Sequence, residues 1–265
     1  MRRCSHVLFV LLVSIFCLTT QLRAESIPTG VQSLVEFDSE EGWSRLARSS
    51  AKVDFLPLAN QFEGQSNIAF CGPTTAAIVL NALSGPNPAL PRDRSRLHPE
   101  DSRYLPPGLN PALPRHTQES VILRSTKTRA QIFGEPHTVH GKTVRDGGFQ
   151  LRQLDQMLRA HGLATTLVVV DESRDDESIR RELIDNLRQL GDFVIVNYRR
   201  EAIGQTGGGH ISPLGAYDAG SDSVLMLDVN PSLYRWTWVT VSTLIKGMRT
   251  FDSVENRGYI LIRRP

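Results

Sequence analysis

Cysteine is scarce in this chain of 265 residues: there are three, and two of them, Cys4 and Cys17, lie among the first 24 positions. Aromatic residues make up only 7%, and basic residues form no long run, occurring as short pairs such as Arg180-Arg181 and Arg199-Arg200 with acids nearby. Nucleic-acid binders gather Lys and Arg on one face or in one stretch, so no nucleic-acid partner is expected. The apolar run from Val7 to Leu18 falls short of the roughly 20 residues a bilayer-spanning helix needs. It follows Arg2-Arg3 and leads to Leu22-Arg23-Ala24, the layout of a secretory signal peptide. Residues 1–24 are therefore expected to be a leader cut after Ala24, with residues 25–265 exported to the periplasm or beyond and no stable membrane anchor. Bulky Phe16 before Cys17 argues against a lipid-attachment site.

What remains is ordinary in bulk: 40% hydrophobic and 22% charged residues suit a globular protein with a sizeable core. Setting the leader aside removes three of the 30 basic residues and none of the 28 acids, leaving 27 against 28, together with one thiol, Cys71. An exported chain with one cysteine forms no internal disulfide. Cys71 is then either a packing residue or one kept for its reactivity.

Its surroundings favour reactivity. Pro73 suits a first helical turn and Gly85 a C-terminal cap, and the residues between are apolar nearly all round, which predicts a buried helix beginning at Cys71. Unpaired N–H groups at a helix start favour a thiolate, the species that attacks carbonyls. Gly72 would let a substrate approach, and Gln65 could stabilise an oxyanion together with the backbone N–H of Cys71.

A base is needed next. Most of the histidines fall in loops or at a helix end; His137 and His140 form at best a metal pair without a third ligand, so no metal site is assigned. His210 differs: it follows Gly207-Gly208-Gly209, which would leave room for a ligand, and opens an apolar run reaching Tyr217 that reads as a strand. The next run, Val224 to Val229, carries Asp228 inside an otherwise apolar strand, and buried acids need partners. A hairpin turn at Asp218–Asp222 with a three-residue loop and a bulge at or beside Gly220 would set residue 210 opposite 230. Asp228 would then be a same-face diagonal neighbour of His210, able to orient the imidazole while the other ring nitrogen takes the Cys71 proton.

The stretches Asn67 to Gly72, Gly208 to Tyr217 and Leu227 to Val229 resemble the catalytic domain of phytochelatin synthases, especially the short bacterial members, with similarity running from about Gln61 to the last strand. The resemblance implies a papain-like two-lobed fold, a helical lobe carrying the nucleophile and an antiparallel sheet carrying the base and acid. It implies the roles of nucleophile for Cys71, base for His210, orienting acid for Asp228 and oxyanion donor for Gln65. The substrate it implies is glutathione, whose γ-Glu-Cys group passes to the cysteine with release of Gly and then to water or a second glutathione. Arg200 and Arg257 match arginines used at the γ-Glu-Cys site, beside Gly209, and Arg is the side chain suited to carboxylates. No tightly bound cofactor is implied. Cadmium, zinc or copper would act as thiolate complexes of the substrate, and a homodimer is an admissible assembly.

Two features depart from that pattern. Asp228-Val229-Asn230-Pro231 lacks a basic residue common after the acid, and no further thiol follows Cys71, so hydrolysis is expected to dominate over peptide synthesis. Between residues 85 and 115 lie eight of the 15 prolines, with Asn-Pro-Ala-Leu-Pro-Arg at 87–92 and again at 110–115; a long surface loop is expected there. Elsewhere Leu151, Leu154, Met157 and Leu158, and then Ile179, Leu183, Leu187 and Leu190, recur at helical spacing as core stripes. Strands are predicted at 165–170, 193–198, 210–217, 223–229 and 258–264, with a helix at Val241–Met248. Helices first and antiparallel strands later make the fold class α+β. A papain-like peptidase of leader or other peptides, and a non-catalytic exported binding module, are the alternatives to glutathione chemistry.

Overall fold

The computed structural model describes residues 34–139 and 141–263. The expected leader at 1–24 and His140 lie outside these. In chain order, β1 (Leu34–Glu36), α1 (Glu40–Arg48), α2 (Phe55–Asn60) and α3 (Cys71–Ser84) precede a group of short elements. These are β2 (Arg92–Asp93), β3 (Leu113–Pro114), α4 (Gln118–Ile122), α5 (Arg129–Ile132), β4 (His137–Val139) and β5 (Lys142–Val144). Next come α6 (Leu151–Ala160), β6 (Ala164–Val169), α7 (Asp176–Leu187), β7 (Asp192–Arg199) and a 3-10 turn, Glu201–Ile203. The chain closes with β8 (Gly209–Asp218), β9 (Ser223–Met226), β10 (Thr237–Thr240), α8 (Val241–Met248) and β11 (Gly258–Arg263).

Seven strands form one sheet in the order β1-β10-β9-β8-β7-β11-β6, with every neighbouring pair antiparallel. Together with the helices this makes a mixed α+β architecture. Both sheet faces are covered, which explains why the central strands read as continuous apolar runs rather than alternating ones. Phe193, Ile195, Ile260 and Ile262 pack with α3 and α6 on one face. On the other, Val194, Val196, Tyr259 and Leu261 pack with α7 and α8.

Helices α6 and α7 arise where the apolar spacing places them. Leu151, Leu154, Met157 and Leu158 of α6 are buried, as are Ile179, Leu183 and Leu187 of α7. Asp175 caps α7 by accepting from the Ser178 N–H, and Asp176 and Glu177 complement the dipole in its first turn. Leu190 is not core: α7 ends at Leu187, and Leu190 is 79% exposed beyond it. In α3 almost every residue is buried, and Gly85 closes the helix at φ 57, with its N–H returned to the Asn81 carbonyl.

The hairpin β8–β9 differs from expectation in detail and agrees in outcome. Asp218 pairs with Ser223, leaving a four-residue loop, and the extra residue sits at Gly215, where the register changes between Leu214 and Ala216. A bulge reverses which face each following side chain meets. Accordingly Leu214 belongs to the α7–α8 side while Ala216 belongs to the α3 side. Below the bulge Leu214 is opposite Met226, a register that carries His210 level with Asn230 and leaves Asp228 one diagonal step away. Regular pairing stops at Met226, short of the predicted 229.

The proline-rich segment is not simply a loop. Arg92 pairs with Pro114 and Asp93 with Leu113, so the two hexapeptide copies form the arms of a small hairpin. Each copy makes the same local turn, Asn87 Oδ1 accepting from the Ala89 N–H and Asn110 Oδ1 from the Ala112 N–H, both at 3.0 Å.

Candidate active site

Helix α3 begins at Cys71, with Phe70 preceding it and no side chain capping its first turn. The thiol is buried and uncrosslinked. Burial would raise its pKa, but His210 and the backbone N–H groups of Ile211 and Gly72 act on the sulfur and hold it below the usual thiol range. The structure thus brings a nucleophile-type cysteine to a histidine, and the histidine to an acid. His210 Nε2 lies 2.9 Å from Asp228 Oδ1, a close ion-pair contact in which the N–H does not point straight at the oxygen.

The charges of this group support one another. Burial alone would lower the pKa of His210, but Asp228 and Cys71 outweigh it and raise the imidazole above its ordinary value. Burial likewise opposes the charge of Asp228, yet His210 and Arg200 keep its carboxyl below the usual range. A backbone N–H from Asn230 reaches Asp228 Oδ1 at 2.9 Å, so the turn that departs from the expected sequence helps to seat the acid. Tyr198, opposite His210 in the β7–β8 register, stands edge-on to the imidazole with ring centroids 5.8 Å apart.

Cys71 and His210 lie on the wall of a cavity of about 320 Å³. Gly209 and Arg257 line it too, together with Asn197, Arg145, Phe149 and Asp252. Arg257 Nη2 donates to Asp252 Oδ1 at 2.8 Å and Nη1 to the Phe251 carbonyl at 2.6 Å. Asn197 donates to the other Asp252 oxygen at 3.2 Å. Burial raises the Asp252 pKa despite these partners. Behind the wall, buried Lys127 reaches Asp146 Oδ2 at 3.1 Å and the Gly148 carbonyl at 2.8 Å, holding the loop that carries Arg145 and Phe149.

Other expected residues have different surroundings. Gln65 is not on the cavity wall: its side-chain N–H donates to the Asn67 carbonyl at 2.9 Å, and its backbone N–H to Val229. Arg200 does not line the cavity either; its guanidinium is taken by Asp228 and Gln205. Gly72 makes room for Phe149 rather than for a ligand, since a Cβ there would come within 3.2 Å of that side chain. In the glycine triplet, a Cβ on Gly209 would meet Arg257 Nη2 at 2.7 Å and one on Gly207 the Arg200 stem at 3.2 Å, so two of the three glycines accommodate arginines. His137 is far less enclosed than His210, and among the described residues no group of three or more His, Cys, Asp or Glu is arranged for a metal ion. Nor, among the described residues, is any helix long and apolar enough to cross a membrane.

Asp252, Asn197, Asp146 and Lys127 escaped the sequence reading. Asn197 and Gln205 fall within the span of the resemblance, from about Gln61 to the last strand, but nothing in spacing links Asp252 to Asn197 or Lys127 to Asp146.

A model of the phytochelatin synthase family matches residues 25–100 and 117–259. Glutathione gamma-glutamylcysteinyltransferase 1 of Lotus japonicus is 28% identical over 243 residues, which cover 87% of this chain and 40% of that protein. Glutathione gamma-glutamylcysteinyltransferase 2 of Arabidopsis thaliana is 26% identical over 236 residues, 87% of this chain and 45% of the relative. The glutathione gamma-glutamylcysteinyltransferase of Schizosaccharomyces pombe is 25% identical over 231 residues, 85% and 48% respectively. The chain therefore spans less than half the length of these curated relatives. Residues 101–116, which include the whole of the hairpin's far arm, fall outside the family match.

Proposed function

We propose, because this chain belongs to the phytochelatin synthase family, that its site transfers the γ-Glu-Cys group of glutathione through Cys71. The observation that carries this reading is the meeting of Cys71 with His210 on the wall of a cavity that also holds Arg257 and Asp252, with Asp228 against His210. The Cys71 thiolate attacks the carbonyl carbon of the Cys-Gly amide. Its C–N bond breaks as the His210 imidazolium gives its proton to the leaving nitrogen, releasing Gly and leaving a thioester on Cys71. Water, deprotonated by His210, then attacks the thioester and regenerates the thiolate; the amino group of a second glutathione can take the same place and yield a phytochelatin.

The Cys71 backbone N–H and the Gln65 amide are the oxyanion donors in this scheme. For Gln65 that role requires its N–H to turn from the Asn67 carbonyl. Arg257 beside Asp252 offers a cation and an anion together, which suits the α-carboxylate and α-ammonium of a γ-glutamyl end. A helix carrying the nucleophile against an antiparallel sheet carrying base and acid is consistent with a papain-like arrangement. Hydrolysis is the main outcome in this reading, because Asn230-Pro231 supplies no cation for a second glutathione. Heavy metals enter only as thiolate complexes of the substrate. Export after removal of residues 1–24 is part of the same reading and rests on the Arg2-Arg3, apolar-run and Ala24 layout of the sequence.

Incubating the purified protein with glutathione and weighing the products by mass spectrometry tests this. Gly and γ-Glu-Cys should appear, and Cys71→Ser should reduce their formation more than about a thousandfold. An intact glutathione pool alongside cleavage of longer peptides would replace this reading with a peptidase.

A further inference from the structure

Arg200 follows β7 directly and is 3% exposed. Its two terminal nitrogens are occupied: Nη1 donates to Asp228 Oδ2 at 2.7 Å and to Gln205 Oε1 at 2.6 Å, and Nη2 donates to Asp228 Oδ1 at 3.0 Å. The guanidinium also stacks 4.7 Å from the ring centroid of Tyr234, whose hydroxyl accepts from the Thr206 N–H. Gly207 leaves space for its stem. A two-pronged fork spent on one carboxylate has no second face for another. The cavity wall contains Cys71, His210 and Arg257 but not Arg200.

We infer that Arg200 is a positioning residue, not a substrate ligand: it fixes Asp228 in its ionised form and orientation, and through Asp228 sets the His210–Cys71 pair. Asp228 is buried, and a buried carboxylate keeps its charge only when paired. His210 meets one oxygen off-line, whereas Arg200 holds both. Gln205 in turn locks the arginine, so the chain of contacts runs Gln205, Arg200, Asp228, His210, Cys71. The groups facing the thiol and imidazole from other elements are Tyr198 on β7 and, across the cavity, Arg145, Asp146, Asp252 and Arg257. Removing the Arg200 fork raises the Cys71 midpoint: a cation is lost near the thiolate, and Asp228, buried without that partner, is no longer held ionised and in place beside the imidazolium.

The inference rests on the thiolate reading above but does not need glutathione, because iodoacetamide reports the Cys71 thiolate directly. Alkylation rate against pH is measured for wild type, Arg200→Met and Arg200→Lys, with circular dichroism confirming that each variant is folded. Arg200→Met should move the midpoint up by about one pH unit or more, and Arg200→Lys, which keeps the charge but not the fork, by less in the same direction. Should the methionine variant not fold, the lysine variant decides. An unmoved midpoint in a folded variant, with only the Michaelis constant for glutathione raised, would overturn the inference and return Arg200 to the substrate site. A wild-type midpoint no lower than that of an ordinary thiol would instead sink the proposed function, and this inference with it.

Discussion

Asp54 shows how much a single residue can hold in reserve. Both its carboxylate oxygens are buried without a partner, and burial, reinforced by the nearby Asp192, pushes its pKa up to about 9. A carboxyl whose folded pKa stands above its ordinary value of 3.8 contributes stability that is fully present below about pH 4 and is lost as pH rises toward 9. Asp54→Asn removes that titration, so the variant's melting temperature should gain on wild type steadily between pH 4 and 9. Parallel melting curves across that range would show that the carboxyl is better solvated than its burial indicates. Asp192, also raised, leaves part of the slope in place. At this scale Cys71 was legible because it was the only thiol beyond residue 24, and Asp228 because it broke an apolar run. Arg200 was legible as a residue but not in its role, since only its contacts distinguish an arginine that grips a substrate from one that grips an acid.

Among the elements, α3 ties the site to the proline-rich hairpin. Asn81, 4% exposed, donates from Nδ2 to the His116 carbonyl at 2.9 Å and accepts the His116 N–H at 2.8 Å, closing the hairpin's end onto the helix that starts at Cys71. Asn81→Ala leaves both backbone groups unpaired and should destabilise the protein by about 2–3 kcal/mol in urea unfolding. A loss under about 0.5 kcal/mol would mean that water replaces the amide without cost. Helices α3, α6, α7 and α8 and the main strands could be read from their apolar patterns, since burial on a given face depends on local periodicity, whereas α1, α2, α4 and α5 were not read. The bulge at Gly215 could not: it comes from a mismatch between two strands, which neither strand carries alone. Short β1 and β10 were missed for the same reason, being defined by their pairing rather than their composition.

For the whole molecule, the sheet with helices on both faces is the frame, and the hairpin is an attachment to it. Residues 98–108 make mainly local turns, such as Asp101 N–H to the His98 carbonyl and Arg103 N–H to Glu100. Replacing 98–108 with a short Gly-Ser turn should leave both the melting temperature and the Cys71 alkylation rate close to those of wild type. A large drop in the alkylation rate would instead make the hairpin part of the site. The sequence by itself determined the α+β class and the buried helix that starts at Cys71, because local periodicity sets these, and it singled out His210 and Asp228; the register that joins those two came from the bulge at Gly215. The tertiary structure alone decided that Arg200 turns toward Asp228, that Arg257 meets Asp252 on the cavity wall and that the glycines beside His210 make space for arginines. Those outcomes depend on which side chains compete for the same buried volume, and that competition exists only once the chain has folded.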